Sequence, residues 1–191
     1  MKLLAALLLA LAAAAAWGAE VAGVSLPASE QVAPGGPALV LNGAGLRRKF
    51  VFKVYVVGLY LPHRVSSAEK ALSLPGPKRI DIRMLRDVSA EEFTNALFEG
   101  LRANHDAAQM KAIEPRARQL AAAMAAMKEA KEGMRITLDW APGEGTRVTA
   151  DSRLLGEPIP GEDFYRALLA IWLGPHPVQD SLKGELLGAP G

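Results

Sequence analysis

The apolar stretch of residues 46–61 constrains the fold more than any other part of this sequence. Side chains point alternately to the two faces of a strand, and here both faces are apolar. One face carries Phe50, Phe52, Val54, Val56, Gly58 and Tyr60, and the other carries Val51, Lys53, Tyr55, Val57, Leu59 and Leu61. Pro62 ends the stretch because proline cannot donate a ladder hydrogen bond. The pattern predicts one long central strand, preceded by a turn at residues 42–45.

Other segments alternate between apolar and polar residues, as half-buried strands do. Residues 78–85 and 134–140 follow this pattern. The glycine-containing loop of residues 141–145 leads back into residues 146–151, so the last two strands form a hairpin.

Several helices are expected between and after the strands. The sequence Ser89-Ala-Glu-Glu92 is a capping box that starts one of them. Residues 110–127 carry one apolar seam, in which Pro115 begins a fresh helix. Residues 164–173 are apolar around most of a helix, and short helices are expected at residues 66–72 and near the C-terminus. The fold class is therefore α+β, with a large antiparallel sheet covered on one side by helices.

The first residues have the composition of an export signal. A positive start precedes an unbroken Leu/Ala run at residues 3–16, which is short for a membrane span and typical of a signal peptide. Small residues favour cleavage after Gly18, with Ala16 as the alternative site and an uncleaved anchor as the competing interpretation. The expected organisation is a signal peptide at 1–18, a lead-in at 19–37 and one domain at 38–191, in a periplasmic or secreted protein.

Composition excludes several classes of chemistry. Without residues 1–18, the Lys and Arg count falls from 22 to 21 against 20 acidic residues, which favours neither nucleic acid nor stable membrane insertion. The chain has no cysteine, and its three histidines lack metal-ligand spacing. No cofactor motif is present, so neither a metal nor a cofactor is expected.

The polar residues of the long stretch are the candidate site. Arg47, Lys53 and Tyr55 share one face if the strand is regular, and a buried unpaired ammonium costs several kcal/mol. Either Lys53 lines a mostly apolar cleft together with the other two residues, or it reaches an edge and pairs with an acid. Gly58 indicates close approach by a helix or a ligand.

Two stretches resemble the chalcone isomerase-like superfamily, in particular its bacterial exported branch. They are LNGAGLRRKFVFKVYVVGLYLP at residues 41–62 and ALLAIWLGPHPVQDSLKGELLG at residues 167–188. The resemblance implies an open-faced β-sandwich with a cleft between the sheet and the helices. Plant members cyclise chalcones, and other members bind fatty acids in this cleft.

The resemblance also assigns roles to single residues. Arg47 matches the arginine that holds an oxygen of the ligand, whereas Tyr55 and Ile171 stand where the enzymes have threonines. The tyrosine and asparagine expected on the helix of residues 106–131 are absent. Met124, Ile171 and Trp172 would complete an adaptable apolar wall. Arg47 would bind a carboxylate, with Lys53 and Tyr55 assisting.

Three functions follow from this reading. The first is non-catalytic binding of a small apolar or carboxylated molecule, such as a fatty acid. The second is an isomerase or lyase acting on an enone, with Arg47 stabilising an oxyanion and Tyr55 as general acid or base. The third is a structural or partner-binding module with a closed cleft, in which Arg47 and Lys53 pair with Asp81 or Asp139. The sequence predicts no oligomeric state.

Overall fold

A computed structural model of the protein describes residues 18–33 and 35–189. The predicted signal peptide lies outside the described residues, apart from Gly18. The strands are β1 (Ala19–Val21), β2 (Val24–Leu26), β3 (Ser29–Gln31), β4 (Ala38–Lys49), β5 (Phe52–Leu61), β6 (Lys78–Met84), β7 (Val88–Ser89), β8 (Glu129–Ala130), β9 (Arg135–Ala141), β10 (Gly145–Ala150) and β11 (Arg153–Leu154). The helices are α1 (Ala68–Ser73), α2 (Ala90–Asn104), α3 (Ala107–Ala125), α4 (Glu162–Leu173) and α5 (Asp180–Leu186).

The main sheet has seven antiparallel strands in the order β11-β10-β9-β6-β5-β4-β3. The expected hairpin is formed by β9 and β10, which pair from Ala141 and Gly145 onward. Two small two-stranded sheets lie outside this sheet: the β1-β2 hairpin and the pair β7-β8, whose strands are separated in the sequence by α2 and α3. The predicted α+β class and the antiparallel sheet are confirmed.

The predicted single strand at residues 46–61 is wrong, because the chain reverses in its middle. The strands β4 and β5 pair from Lys49 opposite Phe52 back to Val40 opposite Leu61, around a two-residue turn at Phe50 and Val51. Phe50 has a φ of 55°, in the left-handed region where glycine or asparagine is usual. Phe50 and Val51 are residue types that favour strands, so no local pattern predicts a turn at this point.

The predicted turn at residues 42–45 is also wrong, since this segment lies inside β4. Its glycines allow close packing of another element instead. A Cβ atom on Gly43 would lie 2.2 Å from the backbone oxygen of Glu185 in α5, and one on Gly45 would lie 2.6 Å from Leu182 Cδ1. The glycines are therefore the surface on which α5 packs.

The two faces of the sheet have different cores. On one face, alternate residues of β5, β6 and β9 join the buried faces of α2, α3 and α4 in a large apolar cluster. On the other face, Leu26, Leu41, Val56 and Tyr60 form a smaller cluster with the β1-β2 hairpin. The helices cover the first face only, as predicted.

The lead-in and the long helix also differ from expectation. Three short strands occupy residues 19–31, and β3 pairs with β4 at the edge of the main sheet. Helix α3 runs through Pro115 without a new start. The side chain of Pro115 is exposed, so its ring points to solvent and the apolar seam continues past it. The capping box at Ser89 is confirmed by reciprocal hydrogen bonds with Glu92.

Candidate functional site

A cavity of about 370 Å³ lies between the sheet and helices α2 and α4. Its size falls in the range of small-molecule sites, roughly 300–1,000 Å³. Ile82 and Met84 of β6 are among the residues on the sheet side, and Leu97 and Leu168 are among those on the helices. Gly100 of α2 permits the close approach of α4, because a Cβ there would lie 2.9 Å from Ile171 Cγ2. The cavity wall is mostly apolar, and its charged residues include Lys49, Arg86, Glu92 and Glu99.

Four of the six predicted site residues line this cavity. They are Arg47 of β4, Tyr55 of β5, and Ile171 and Trp172 of α4. Arg47 and Tyr55 share the site because they are direct cross-strand partners in the β4-β5 hairpin. The cavity thus brings together residues from three elements that are far apart in the sequence.

The structure places Lys53 outside the cavity wall. A bulge lets Arg47 pair with Tyr55 while Arg48 pairs with Lys53, which leaves Val54 as the extra residue. Val54 and Tyr55 then both line the cavity. Lys53 is exposed and lines a separate groove of about 420 Å³, together with Ala44 and Glu185. The bulge changes the alternation on which the prediction rested.

Met124 also lies outside the cavity wall. This residue is buried in the apolar cluster beneath α3 and is not part of the cavity wall. Leu120, one turn earlier on the same helix, does line the cavity. The apolar seam of α3 therefore packs mainly on its neighbours and reaches the cavity at one point.

Tyr55 and Trp172 form the polar centre of the cavity. The indole Nε1–H of Trp172 donates to the Tyr55 hydroxyl oxygen over 3.1 Å. Burial raises the pKa of Tyr55, although the hydrogen bond from Trp172 and the nearby charge of Arg47 oppose this effect. The Tyr55 hydroxyl is therefore neutral near pH 7. Because its oxygen already accepts a bond, its proton is free to be donated into the cavity.

Gln179, which is not among the predicted site residues, positions Arg47. Its Nε2 donates to the backbone oxygen of Leu46 over 3.0 Å, and its Oε1 accepts from the backbone N–H of Arg48 over 2.9 Å. The same Oε1 also accepts a longer bond, 3.4 Å, from Arg47 Nη1. Gln179 thus satisfies the free edge of β4 as a neighbouring strand would. No local pattern marks it, since 132 residues separate it from Arg47.

Arg47 forms no ion pair with a carboxylate among residues 18–33 and 35–189. Asp81 binds Arg83 and Arg135, and Asp139 binds Arg79, on the opposite face of the sheet. The predicted pairing of Arg47 or Lys53 with Asp81 or Asp139 is therefore wrong, and so is the closed cleft that accompanied it. A guanidinium and a neutral phenol in a mostly apolar cavity can stabilise a negative oxygen of a bound molecule.

No group of three or more potential metal ligands occurs within the part of the chain that the structure describes. No helix among these residues is both long and apolar enough to cross a bilayer.

Comparisons with known proteins agree with this architecture. The sequence model of the chalcone isomerase-like family matches residues 18–188. Among solved structures, the chain resembles a fatty-acid binding protein of Arabidopsis thaliana with a TM-score of 0.65 and 16% sequence identity. The match covers 86% of this chain and 92% of that one. A comparison with curated protein sequences finds no match.

Proposed function

The chain belongs to the chalcone isomerase-like family, and from this premise we propose that it binds a fatty acid or similar carboxylate in its cavity. The observation that carries the proposal is the position of Arg47. Its guanidinium has no carboxylate partner in the described residues and lies beside the neutral Tyr55 at an apolar cavity. An acyl chain would fill the apolar part, and its carboxylate would accept hydrogen bonds from both residues.

Non-catalytic binding is favoured over isomerisation by the residues that face the cavity. The resemblance places threonines of the enzymes at Tyr55 and Ile171, and here one position carries a phenol and the other an apolar group. The raised pKa of Tyr55 makes it a hydrogen-bond donor near neutral pH and a poor general base. A catalytically inert binder therefore fits this lining better than an enzyme.

Native mass spectrometry of the purified protein, with and without added palmitate, tests the proposal. We expect one bound carboxylate per chain. Replacing Arg47 removes a charged hydrogen-bond donor, so Arg47→Gln should weaken palmitate binding roughly tenfold or more. The matched control is Arg48→Gln, because Arg48 is exposed and lies outside the cavity wall.

Two results would contradict the proposal. One is a protein that takes up no palmitate and carries no extracted lipid. The other is equal palmitate affinity in the wild type and the folded Arg47→Gln variant. Steady turnover of enones by the wild type, lost in Arg47→Gln, would favour the isomerase instead.

We also propose that residues 1–18 are a removed signal peptide and that the protein is periplasmic or secreted. The Leu/Ala run at residues 3–16 supports this. The intact mass of protein recovered from the periplasm reports the N-terminus directly, and a mass that includes residue 1 would contradict the proposal.

A further inference from the structure

The turn between β4 and β5 presents a large apolar surface to solvent. Phe50 is 89% exposed, Val51 is 84% exposed and Phe52 is 57% exposed. Scattered single apolar residues on a surface are normal, but three consecutive large ones at the tip of a hairpin are not. The described residues contain one more large exposed apolar side chain, Leu154. It lies alone on β11, the strand at the edge of the sheet opposite to β3.

The tip keeps an aromatic residue where the backbone disfavours one. Phe50 has a φ of 55°, a conformation that glycine or asparagine adopts more easily than a bulky side chain. Burial of the ring does not compensate for this unfavourable backbone conformation, because the side chain is almost fully exposed. Folding therefore gives no reason for phenylalanine at this position, and an interaction outside the molecule would.

Four exposed cations surround the tip: Arg48, Lys49, Lys53 and Arg86. The guanidinium of Arg86 lies over the Phe52 ring, 5.3 Å from its centroid. The ion pairs found in the described part of the chain all use other cations.

Four acids lie near this cluster. Asp87 pairs with Lys131, Glu20 lines a groove together with Arg48 and Lys53, and the other two acids accept hydrogen bonds. Glu92 accepts hydrogen bonds from Ser89 in the capping box of α2. Glu185 accepts a hydrogen bond from the backbone N–H of Leu46. The apolar tip is thus ringed by local positive charge, although the net charge of the chain is close to zero.

We propose that this tip, formed by Phe50, Val51 and Phe52 with the four surrounding cations, docks on the surface of an anionic lipid bilayer. The apolar side chains would enter the boundary between headgroups and acyl chains, while the cations face lipid phosphates. A stable protein interface uses about 20–30 residues on each side. A two-residue turn with exposed rings is small for that role and suited to shallow insertion.

The tip lies next to the cavity, which relates the proposed docking to ligand binding. Lys49 and Arg86 are two of the four cations around the tip, and both also line the cavity. Docking would therefore bring the cavity rim to the membrane surface, where acyl chains are available. The docking itself does not depend on which ligand the cavity takes, so the two proposals can fail separately.

Site-specific fluorescence tests the contact. The chain has no cysteine, so Val51→Cys gives one labelling site at the tip, and Leu154→Cys gives a matched exposed site far from it. We expect an environment-sensitive label at position 51 to shift to the blue with vesicles of phosphatidylcholine and phosphatidylglycerol. The label at position 154 should not shift, and pure phosphatidylcholine should give a weaker effect at position 51.

Vesicle co-sedimentation then separates the apolar and charged contributions. Phe50→Asn with Val51→Ser should lower binding roughly tenfold or more, because it removes the inserting side chains. Asparagine suits the backbone of residue 50, so the fold should be kept. Arg48→Gln with Lys53→Gln should lower binding to the anionic vesicles by roughly tenfold. The controls Leu154→Ser and Arg153→Gln should bind as the wild type does.

Three results would overturn the proposal. The first is the absence of vesicle binding by the wild-type protein, and the second is an equal loss of binding in the Leu154→Ser control. The third is self-association that tip substitutions abolish while vesicles have no effect, since a second copy would then be the occupant. All variants share the same N-terminus, so any contribution of residues 1–18 is common to them.

Discussion

Tyr55 combines two hydrogen-bonding roles in one partly buried hydroxyl. Its oxygen accepts the Nε1–H of Trp172, and its proton is available to a ligand in the cavity. Removing this hydroxyl should therefore have both a structural and a functional consequence.

We expect Tyr55→Phe to lower the free energy of unfolding by about 1–2 kcal/mol, because the buried Trp172 N–H loses its acceptor. Palmitate affinity should fall as well, since the carboxylate loses one of its two donors. Urea denaturation and palmitate titration measure the two effects.

Tyr60→Phe is the matched control for this prediction. The Tyr60 hydroxyl donates to the backbone oxygen of Pro27 over 3.0 Å, on the face of the sheet away from the cavity. Tyr60→Phe should lower the free energy of unfolding by a similar amount and leave the affinity for palmitate unchanged. Equal palmitate affinity in both variants would show that the Tyr55 hydroxyl takes no part in binding.

At the residue scale, the sequence predicted the right pair for an incomplete reason. Arg47 and Tyr55 do share a face, but as opposite residues of a hairpin, not as members of one strand. Lys53 was misplaced because a bulge at Val54 cannot be seen in a pattern of alternating residues. Gln179 was missed because its role depends only on long-range packing against the edge of β4.

At the element scale, α5 is held to β4 by close backbone packing. Asn42 donates to the backbone oxygen of Leu186 and accepts from the backbone N–H of Val65, both over 2.7 Å. Gly43 leaves room for the helix, because a Cβ there would lie 2.6 Å from the Leu186 oxygen. The approach of α5 also sets the position of Gln179, the residue that precedes this helix.

Gly43→Ala should therefore destabilise the protein by about 1–3 kcal/mol, since backbone atoms cannot yield to the new methyl group as a side chain could. The control is Gly184→Ala within α5, where the new Cβ would meet only Ala189 Cβ at 3.6 Å. Alanine is the better helix former, so this control should gain up to about 1 kcal/mol.

Thermal and urea denaturation of the two variants measure these changes. If Gly43→Ala proves as stable as the wild type, α5 is not held by the close contact described above. Loss of palmitate binding in Gly43→Ala at temperatures where it stays folded would link the helix to Arg47 through Gln179.

The elements that the sequence predicted correctly carry local signals. The capping box of α2, the apolar circumference of α4 and the β9-β10 hairpin each follow from residues within one segment. The β4-β5 turn carries no such signal, because Phe50 and Val51 are strand formers placed in a turn. If the docking proposal holds, this conflict between local preference and structure arises at an interaction site.

At the scale of the whole molecule, one face of the sheet carries the large apolar core, and the other combines the smaller apolar cluster with a group of ion pairs. The cavity and helices lie on one face, while Arg79, Asp81, Arg135 and Asp139 lie with Glu30 on the other. The alternation of β6 and β9 predicted the two faces but not the burial of the charged one. That burial depends on Glu30 and on the segment that carries it. No local pattern in the sequence indicates where this segment packs.

All three tyrosines of the chain are buried or partly buried, and each lowers the stability of the fold at alkaline pH. Burial raises the pKa of Tyr55, Tyr60 and Tyr165, because it disfavours the charged phenolate. The unfolded chain has ordinary tyrosines that ionise near pH 10. Above about that pH the folded state therefore holds more protons than the unfolded state.

The sign of the effect follows from this difference. The stabilising contribution is fully present below about pH 10 and is lost as the pH rises above it. Each tyrosine that stays protonated only in the folded state lowers the free energy of unfolding by about 1.4 kcal/mol per pH unit in this range. We expect the ultraviolet absorbance of tyrosinate to stay low in the native protein and to rise together with unfolding. In urea it should rise near pH 10.

Single variants resolve the contributions. Tyr55→Phe and Tyr60→Phe should each remove one titrating group, so each should reduce the alkaline slope of unfolding free energy against pH by about 1.4 kcal/mol per pH unit. A native protein that develops tyrosinate absorbance near pH 10 while its circular dichroism is unchanged would contradict the burial of these rings. If the slope falls for Tyr60→Phe alone, Tyr55 is open to water and the cavity wall is looser than the structure shows.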